Sequence, residues 1–356
     1  MKINLNSIIS PKIEDTLSND ICLRSKIDTG LNCNLKCDFC YTLKHVHDAP
    51  KSFIDICKVM DKVKAAGIKD AEFSGGEPTI HPNWFDLLEY ASNIFDHVSV
   101  VTNGTKLCNE EFLLKSKEKG LKEVLFSLHG WDEESHAEKT GRDVFGRIME
   151  AIELSKKHKL IVRINCVVDN KFIPARYASI INKIDPKQVN FLPINYWDNA
   201  KTLAKLDYTR VSENLKVCID LINQRSKKIN INVRYIPLCF MEGYERYCVG
   251  TYQHIFDKTD WNIMTFNGGL KQTDSFMRKD LVITKENMFK QAKINRYNSY
   301  IKPPSCTDCS MMYVCDGIEK ELSEQVYKLV PKFGKKILDI NFLRNTNVKF
   351  EDSLNY

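Results

Sequence analysis

Three cysteines lie within eight residues near the start of the chain, in the stretch NCNLKCDFCYT. Cys33, Cys37 and Cys40 are separated by three and then two residues, so a short loop can bring their thiolates together. This spacing suits three corners of an iron-sulfur cube, whose fourth iron stays open to a ligand that is not protein. A structural zinc site normally has four protein ligands, and the nearest further candidates are His45 and His47. We therefore expect an iron-sulfur cluster here, with zinc as the alternative.

The composition is that of a globular protein whose thiols stay reduced. The chain has 356 residues, 43% of them hydrophobic, and a net charge of +6 that is not gathered into a basic tract. It shows neither an export signal nor an apolar run of the ~20 residues that a membrane helix needs. Its thirteen cysteines, an odd number, argue against a disulfide framework and predict a cytoplasmic location. Five scattered cysteines are expected to be small buried hydrophobic residues: Cys22, Cys57, Cys108, Cys166 and Cys218.

Short apolar runs alternate with amphipathic stretches along the first two thirds of the chain, which predicts parallel strands with helical crossovers. The predicted strands cover residues 25–31, 70–76, 97–104, 123–130, 160–168 and 188–194. The predicted helices cover residues 52–67, 83–95, 110–120, 143–158 and 175–184. Six strands without a recognisable seventh or eighth predict an α/β fold, a partial (β/α)6 TIM-like barrel that is open on one side. Chemistry is then expected at the carboxyl ends of the strands, where the cysteine loop and the segments SGGEP, TNGT and SLHG all fall.

Two of these segments carry a family resemblance. CNLKCDFCY resembles the signature of the radical S-adenosylmethionine (radical SAM) superfamily, and FSGGEPT, one strand later, resembles its second motif; the match covers roughly residues 25–195. The resemblance implies that the amino and carboxylate groups of S-adenosylmethionine bind the open iron of a catalytic [4Fe-4S] cluster. It also implies reductive cleavage to methionine and a 5'-deoxyadenosyl radical that abstracts hydrogen from a substrate. A small flavodoxin- or ferredoxin-type protein is the expected electron donor.

The resemblance also implies roles for individual residues around S-adenosylmethionine. Adenine is expected at Phe39, the amino group at Gly75, Gly76 and Glu77, ribose at Thr102 and Asn103, and the carboxylate at Ser127 and Arg142. The alternative for Asn103 and the glycine after it is a plain turn. Alternation along the strand IVRINCVV puts Arg163 and Asn165 on a polar face, which makes Asn165 a further candidate near the ligand. His129, at a strand end, is either an acid, base or substrate contact or an ordinary hydrogen-bonded histidine.

A second group of cysteines follows near the end of the chain, in SCTDCSMMYVCDG. Cys306, Cys309 and Cys315 resemble the core of the carboxyl-terminal SPASM or twitch-type auxiliary-cluster domains, with a zinc knuckle as the alternative. The full SPASM pattern has another cysteine at the position of Glu319, so the available cysteines suffice for one auxiliary [4Fe-4S] cluster. Its fourth ligand is predicted to be Cys239 rather than Cys248. If Cys248 is free, it is the leading candidate for a catalytic hydrogen donor, with Cys108 behind it.

These observations predict an amino-terminal extension (1–24), a radical SAM partial barrel (25–228), a small α+β twitch-type domain (229–318) and a terminal helix and tail (319–356). The expected reaction is oxidation, cross-linking or epimerisation of a ribosomally made peptide. About two dozen residues precede the first strand, too few for a leader-recognition module, so such a peptide needs a separate partner or binds without one. The alternatives are a sugar or nucleotide metabolite or a nucleic-acid base, or, in a different class, a non-catalytic zinc or iron-sulfur module. No basic run or aromatic-glycine motif favours nucleic acid, and no membrane association is expected.

Overall fold

A parallel sheet of nine strands organises the part of the chain that the computed structural model describes, namely residues 23–196, 200, 203–226, 228–257, 263–265, 285–340 and 342–344. The strands are β1 Arg24–Asp28, β2 Asp70–Ser74, β3 His97–Thr102, β4 Glu123–Ser127, β5 Ile161–Val168, β6 Gln188–Pro193, β7 Asn230–Arg234, β8 Cys248–Val249 and β9 Ile263–Thr265. Their order is β8-β7-β6-β5-β4-β3-β2-β1-β9, with β8 and β9 at the two edges. This arrangement confirms the α/β class and the partial TIM-like barrel.

Helices connect successive strands of this sheet. They are α1 Phe53–Ala65, α2 Trp84–Ile94, α3 Glu110–Glu118, α4 Glu133–Thr140, α5 Phe145–Lys157, α6 Pro174–Ile184, α7 Tyr208–Arg225 and, near the carboxyl end, α8 Lys285–Ser299. The five predicted helices are present, whereas α4, α7 and α8 were not predicted. No helix among the described residues combines the length and the apolar character needed to cross a bilayer.

The sheet has three strands more than the six that the sequence predicted. β7 pairs with β6 in parallel, β8 extends the same edge, and β9 pairs with β1 at the other edge, so the sheet continues beyond residue 228. The long helix α7 supplies the crossover that makes β7 a barrel strand. A hairpin predicted in FDKTDWNIMTFNGG lies mostly outside the described residues, and its described part is β9, which pairs in parallel.

A small antiparallel sheet follows in the carboxyl-terminal part. β10 Tyr300–Ile301 pairs with β11 Ile318–Glu319, and the cysteine-rich segment lies between them. After β11, Lys320–Lys328 form a 3-10 helix with a kink at Leu322, where an ordinary helix was expected. The predicted extension (1–24) lies almost wholly outside the described residues, as do residues 345–356 of the tail.

The interior of the barrel holds charged side chains between its strands. Arg163 on β5 contacts Glu72 and Glu123, with both nitrogen–oxygen distances at 2.5 Å. Arg24 on β1 also reaches Glu123, at 2.8 Å, and His97 lies 3.1 Å from its second oxygen. Because each pair joins different strands, this network links the five strands β1 to β5 through their side chains.

Candidate active site and metal centres

The three-cysteine loop follows β1 and is held by backbone hydrogen bonds from two directions. The Cys33 amide donates to the Val46 carbonyl at 2.9 Å, which closes the loop on itself. The Lys36 amide donates to the Thr140 carbonyl at 3.1 Å, at the end of α4. The loop is therefore positioned by a helix that the sequence pattern did not predict.

The thiols of this loop lie close enough to influence one another. Burial, with the charges of Glu77 and Cys40, raises the pKa of Cys33 to about 11. Burial and the neighbouring Cys40 and Cys33 also raise the pKa of Cys37. Such thiols ionise together only beside a compensating positive charge, which the irons of a cluster supply. This donor set fits an iron-sulfur cluster. Among the described residues, no group of three or more His, Cys, Asp or Glu side chains has the arrangement that holds a single metal ion.

Gly75 and Gly76 let the second motif pack directly against the cysteine loop. The Gly76 amide donates to the Gly30 carbonyl and the Glu77 amide to the Asn32 carbonyl, each at 2.8 Å. A Cβ atom on Gly75 would lie 2.2 Å from the Gly30 oxygen, and one on Gly76 would lie 2.0 Å from the Asn32 oxygen. The glycine pair was predicted to allow close approach of a ligand. In this structure it allows close approach of the backbone of the cysteine loop.

The carboxylate of Glu77 is used within the chain. One oxygen accepts from the Thr79 amide (3.0 Å), the Thr79 hydroxyl (2.5 Å) and the Thr102 hydroxyl (2.7 Å), and the other accepts from the Asn103 amide (2.6 Å). Burial raises the pKa of Glu77, while these hydrogen bonds lower it. Four bonds match the usual acceptor capacity of a carboxylate. Glu77 and Thr102 thus join the ends of β2 and β3, and their predicted contacts with S-adenosylmethionine remain predictions.

Asn103 connects the end of β3 to the cysteine loop. Its Nδ2 donates to Asn34 Oδ1 at 2.8 Å and lies 4.0 Å from Cys33 Sγ, while its Oδ1 accepts from the Thr105 hydroxyl at 2.7 Å. Asn34 Nδ2 completes the triangle by donating to Thr105 Oγ1 at 2.8 Å. Asn34 lies within the cysteine motif and Thr105 within TNGT, but the sequence analysis assigned no role to either residue. Asn103 is therefore an anchor for the loop of the first cysteine, and its predicted contact with ribose remains a prediction.

His129 lies against Phe39, the aromatic residue of the cysteine motif. The two rings meet edge to face with their centroids 4.8 Å apart. His129 Nδ1 accepts from the Val167 amide at 3.2 Å, and its carbonyl accepts from the Tyr177 hydroxyl at 2.6 Å. Burial, with the nearby His136, lowers its pKa well below the usual range, so the ring is neutral. Of the two interpretations of this residue, the geometry favours a hydrogen-bonded histidine that orients Phe39.

Ser127 and Asn165 lie on neighbouring strands of the barrel, and Arg142 lies in the turn after α4. Ser127 at the end of β4 is in register with Asn165 on β5, and Asn165 Oδ1 accepts from Asn190 of β6 at 2.8 Å. Both are half-buried, whereas Arg142 is exposed in the turn after α4 that contacts the cysteine loop. Along β5, Arg163 contacts Glu72 and Glu123 and Asn165 contacts Asn190, whereas Cys166 on the opposite face is fully buried.

Four cysteines line one small cavity in the carboxyl-terminal part. These are Cys239, Cys306, Cys309 and Cys315. Burial and the neighbouring thiols raise the pKa of Cys239 and that of Cys306 to about 12. Backbone amides already point at two of the sulfur atoms: those of Leu238 and Gly317 at Cys315 Sγ (3.5 and 3.4 Å), and that of Lys332 at Cys309 Sγ (3.4 Å). This donor set fits a closed cluster with four thiolate ligands.

Cys248 lies outside that cavity. It is buried on β8, its thiol faces the Tyr244 carbonyl at 3.9 Å, and burial with the charge of Glu245 raises its pKa. Arg344 from the terminal segment covers this edge of the barrel by donating to the Cys248 carbonyl (3.3 Å) and to Asn232 Oδ1 (3.0 Å). Cys108 donates to the Thr105 carbonyl at 3.3 Å. The geometry brings Cys239, and not Cys248, to the other three cysteines.

Comparison with known proteins agrees with this site. Residues 27–173 match the model of the Radical SAM superfamily, a superfamily of enzymes. It is 24% identical over 224 residues to the GTP 3',8-cyclase of Clostridium perfringens, a match that covers 60% of this chain and 67% of that protein. It is 31% identical over 155 residues to the antilisterial bacteriocin subtilosin biosynthesis protein AlbA of Bacillus subtilis. That match covers 42% of this chain, and the chain spans about a third (34%) of AlbA's length.

Among solved structures, Streptococcus suis SuiB bound to S-adenosylmethionine has the same fold over most of the chain. The TM-score is 0.60 at 18% sequence identity, with 89% of this chain and 77% of SuiB covered. The structural match therefore extends beyond residues 27–173 into the carboxyl-terminal part.

Proposed function

We propose that this enzyme uses S-adenosylmethionine and a [4Fe-4S] cluster held by Cys33, Cys37 and Cys40 to start radical chemistry on a bound substrate. The observation that carries the proposal is the three-thiol loop docked onto the glycine pair of the second motif, within the region that matches the family. When bound and reduced, the cluster supplies the electron that cleaves S-adenosylmethionine to methionine and the 5'-deoxyadenosyl radical, which removes hydrogen from the substrate. A flavodoxin- or ferredoxin-type protein of a reducing cytoplasm is the proposed electron source.

The chain's own residues have two tasks at this site. The three cysteines bind three irons and leave the fourth without a protein ligand, while Asn103 and the glycine pair fix the loop that carries them. Phe39, steadied by the neutral ring of His129, presents a flat apolar surface for adenine. We propose Ser127, Arg142 and Asn165 as donors for the carboxylate of the ligand, because a hydroxyl, a guanidinium and an amide are suited to that contact.

We further propose that Cys239, Cys306, Cys309 and Cys315 hold one auxiliary [4Fe-4S] cluster. Loss of a hydrogen atom leaves a substrate radical, and loss of one more electron and one proton completes a two-electron oxidation. The four-thiol site is suited to accept that electron, because it leaves no ligand position for the substrate. This outcome favours oxidation or cross-linking over epimerisation, which would need a hydrogen donor such as Cys248.

A peptide is the proposed substrate. The match to a bacteriocin biosynthesis protein supports it, as does the shared fold with SuiB, one of whose structures is described as bound to a precursor peptide. A nucleotide is the second candidate, because the match to GTP 3',8-cyclase extends over 224 residues.

Anaerobic reconstitution tests the catalytic part of the proposal. The purified chain should bind about eight irons and, with reductant and S-adenosylmethionine, should form 5'-deoxyadenosine. Cys33→Ala, Cys37→Ala and Cys40→Ala should each abolish that product, whereas Cys57→Ala on α1 should not. Zinc in place of iron, or product formation that survives all three changes, would contradict the proposal.

Co-expression tests the substrate. A short peptide encoded beside this gene should lose about two mass units per modification when oxidised or cross-linked, whereas epimerisation in deuterated water should add about one. GTP should neither be consumed nor increase 5'-deoxyadenosine formation. Consumption of GTP with an unchanged peptide would favour the nucleotide candidate instead.

A further inference from the structure

We infer that Lys302 is the counter-charge of the four-cysteine cavity and raises the reduction potential of the cluster bound there. The inference rests on the auxiliary cluster proposed above and adds a residue that determines its electron affinity. Lys302 directly follows β10 and lines the cavity together with the four cysteines. Nothing in the cysteine spacing points to it.

The side-chain amine of Lys302 is buried and directed by the fold. Lys302 is only 3% exposed, and its Nζ donates a hydrogen bond to the Met312 carbonyl at 2.6 Å. The nearby carboxylate of Asp316 lies 2.9 Å from Arg296 and also accepts from the Thr251 amide and hydroxyl, each at 2.7 Å. Within the described part of the chain, Lys302 forms no ion pair with a carboxylate. A buried charge without an ionic partner is costly, so this position indicates an anionic group in the cavity that it lines.

Gly317 makes room for the stem of this lysine. It has a φ of +89°, and a Cβ atom there would lie 2.7 Å from Lys302 Cγ and 2.5 Å from the Ile301 carbonyl oxygen. The glycine amide at the same time points at Cys315 Sγ. One glycine therefore places both a cation and a backbone dipole against the cysteine site.

The charge of the proposed cluster explains why a cation belongs there. Four thiolates outweigh the positive charge of an iron-sulfur core, and reduction adds a further negative charge inside a buried cavity. A positive charge at the cavity wall stabilises the reduced form more than the oxidised form, because the attraction grows with the charge of its partner. Lys302 therefore favours acceptance of the electron that substrate oxidation releases.

The test is a redox titration of the reconstituted full-length chain, followed by electron paramagnetic resonance at one fixed pH. Addition of S-adenosylmethionine identifies the signal of the first cluster, since only that cluster is expected to bind it. Lys302→Met should shift the midpoint potential of the second cluster to a more negative value, and Lys302→Arg should keep it near that of the unchanged chain. Lys320→Met is the matched control, because it removes a lysine of the same region that is exposed and does not line the cavity.

An unchanged potential in Lys302→Met would overturn the inference, and so would an equal shift in Lys320→Met. If Lys302→Met fails to keep its second cluster, the iron content of Lys302→Arg decides. If Lys302→Arg keeps the iron of the second cluster, the result supports the need for a positive charge. If both variants lose that iron, Lys302 has only a packing role and the inference is overturned. If the unchanged protein binds only one cluster, the proposed auxiliary site itself is refuted. That failure appears before any substitution and is therefore distinguishable from failure of the inference about Lys302.

Discussion

Gly76→Ala tests whether the catalytic cysteine loop depends on its contact with the second motif. A Cβ atom at this position would lie 2.0 Å from the Asn32 carbonyl oxygen and 2.5 Å from that of Leu31. Ordinary contacts begin at 3.4 Å, so one backbone segment must retreat by more than an ångström. Both obstacles are backbone atoms of the loop that carries Cys33, so no side-chain rotation relieves them.

The cost of this change is local. Two backbone hydrogen bonds join the segments at 2.8 Å, Gly76 to Gly30 and Glu77 to Asn32. At about 0.5–1.5 kcal/mol each, their loss weakens the docking of the loop by about 1–3 kcal/mol. Metal–ligand distances tolerate only about 0.2 Å of error, so displacement of Cys33 by an ångström is far more damaging to cluster binding than to folding.

We therefore expect Gly76→Ala to fold and to lose most of the iron of its first cluster together with 5'-deoxyadenosine formation. Iron analysis after reconstitution, circular dichroism and product chromatography measure the three quantities. Gly146→Ala is the control, because nothing lies within 4 Å of a Cβ atom built at that position in α5. It should keep its iron and gain about 0.5–1 kcal/mol of stability. A Gly76→Ala chain with full iron content and an unchanged product rate would refute the reasoning.

Three further predictions concern single side chains. Burial alone would raise the pKa of Glu123, but its histidine and two arginine neighbours lower it to about 2 from 4.5, so the ionised group contributes about 3 kcal/mol. That contribution is present above pH 4.5 and is lost as the pH falls towards 2. Urea unfolding should show that Glu123→Gln is less stable than the unchanged chain at pH 7 and that its stability depends less on acid. Identical pH profiles of stability for the two proteins would contradict this. Glu77→Gln replaces one acceptor oxygen with an amide donor that faces other donors, so at least one charge-assisted hydrogen bond, worth about 1.5–3 kcal/mol, is lost. The variant should therefore have a lower melting temperature and a lower iron content. Unchanged values would show that the carboxylate is dispensable. Cys239→Ser should lose about four irons while Cys248→Ser keeps them, and the reverse result would move the fourth ligand to Cys248.

Hydrophobic periodicity predicted elements whose apolar residues face the core, and it could not detect α4, which does not follow this rule. The six predicted strands and five predicted helices are present because each buries an apolar face. α4, with the sequence EESHAEKT, has Ala137 as its one apolar residue, and its buried side chains include His136 and Lys139, so periodicity could not reveal it. Its capping box, formed by Asp132 and Ser135, was the signal available in the sequence.

α7 is a different kind of omission. Val211, Leu215, Cys218, Ile219 and Ile222 are all buried at helical spacing, so the pattern was present in the sequence. Without this helix the following strand had no crossover, and β7 was assigned to the appended domain. One missed helix thus shortened the predicted barrel.

The site shows the same limit at the level of side chains. The motifs located Cys33 and the glycine pair, because spacing and glycine content are visible in a sequence. The hydrogen bonds that use Asn34 and Thr105 are not visible, since the partners are about seventy residues apart (71 for this pair) and meet only when β1 and β3 end at the same edge of the sheet. The carboxylate of Glu77 was assigned to a ligand because its own partners are equally invisible in the sequence. Two of its four hydrogen-bond donors belong to Thr102 and Asn103 on the next strand end, and the other two belong to Thr79 in its own turn.

The two cysteine sites differ in how the fold completes them, and this difference bears on their proposed tasks. The first lies at a strand end, with half-buried thiols, no fourth cysteine among its described contacts, and Phe39 beside it. The second gathers four thiols from segments about seventy residues apart in sequence (Cys239 and Cys306), and Lys302 adds a buried cation to its wall. A cluster site with four protein ligands and a nearby cation suits electron transfer. A cluster site with only three protein ligands suits the binding of a small molecule at the fourth iron. On this reasoning the substrate must reach the mouth of the barrel to react, and it needs only to come within electron-transfer distance of the cavity around Lys302.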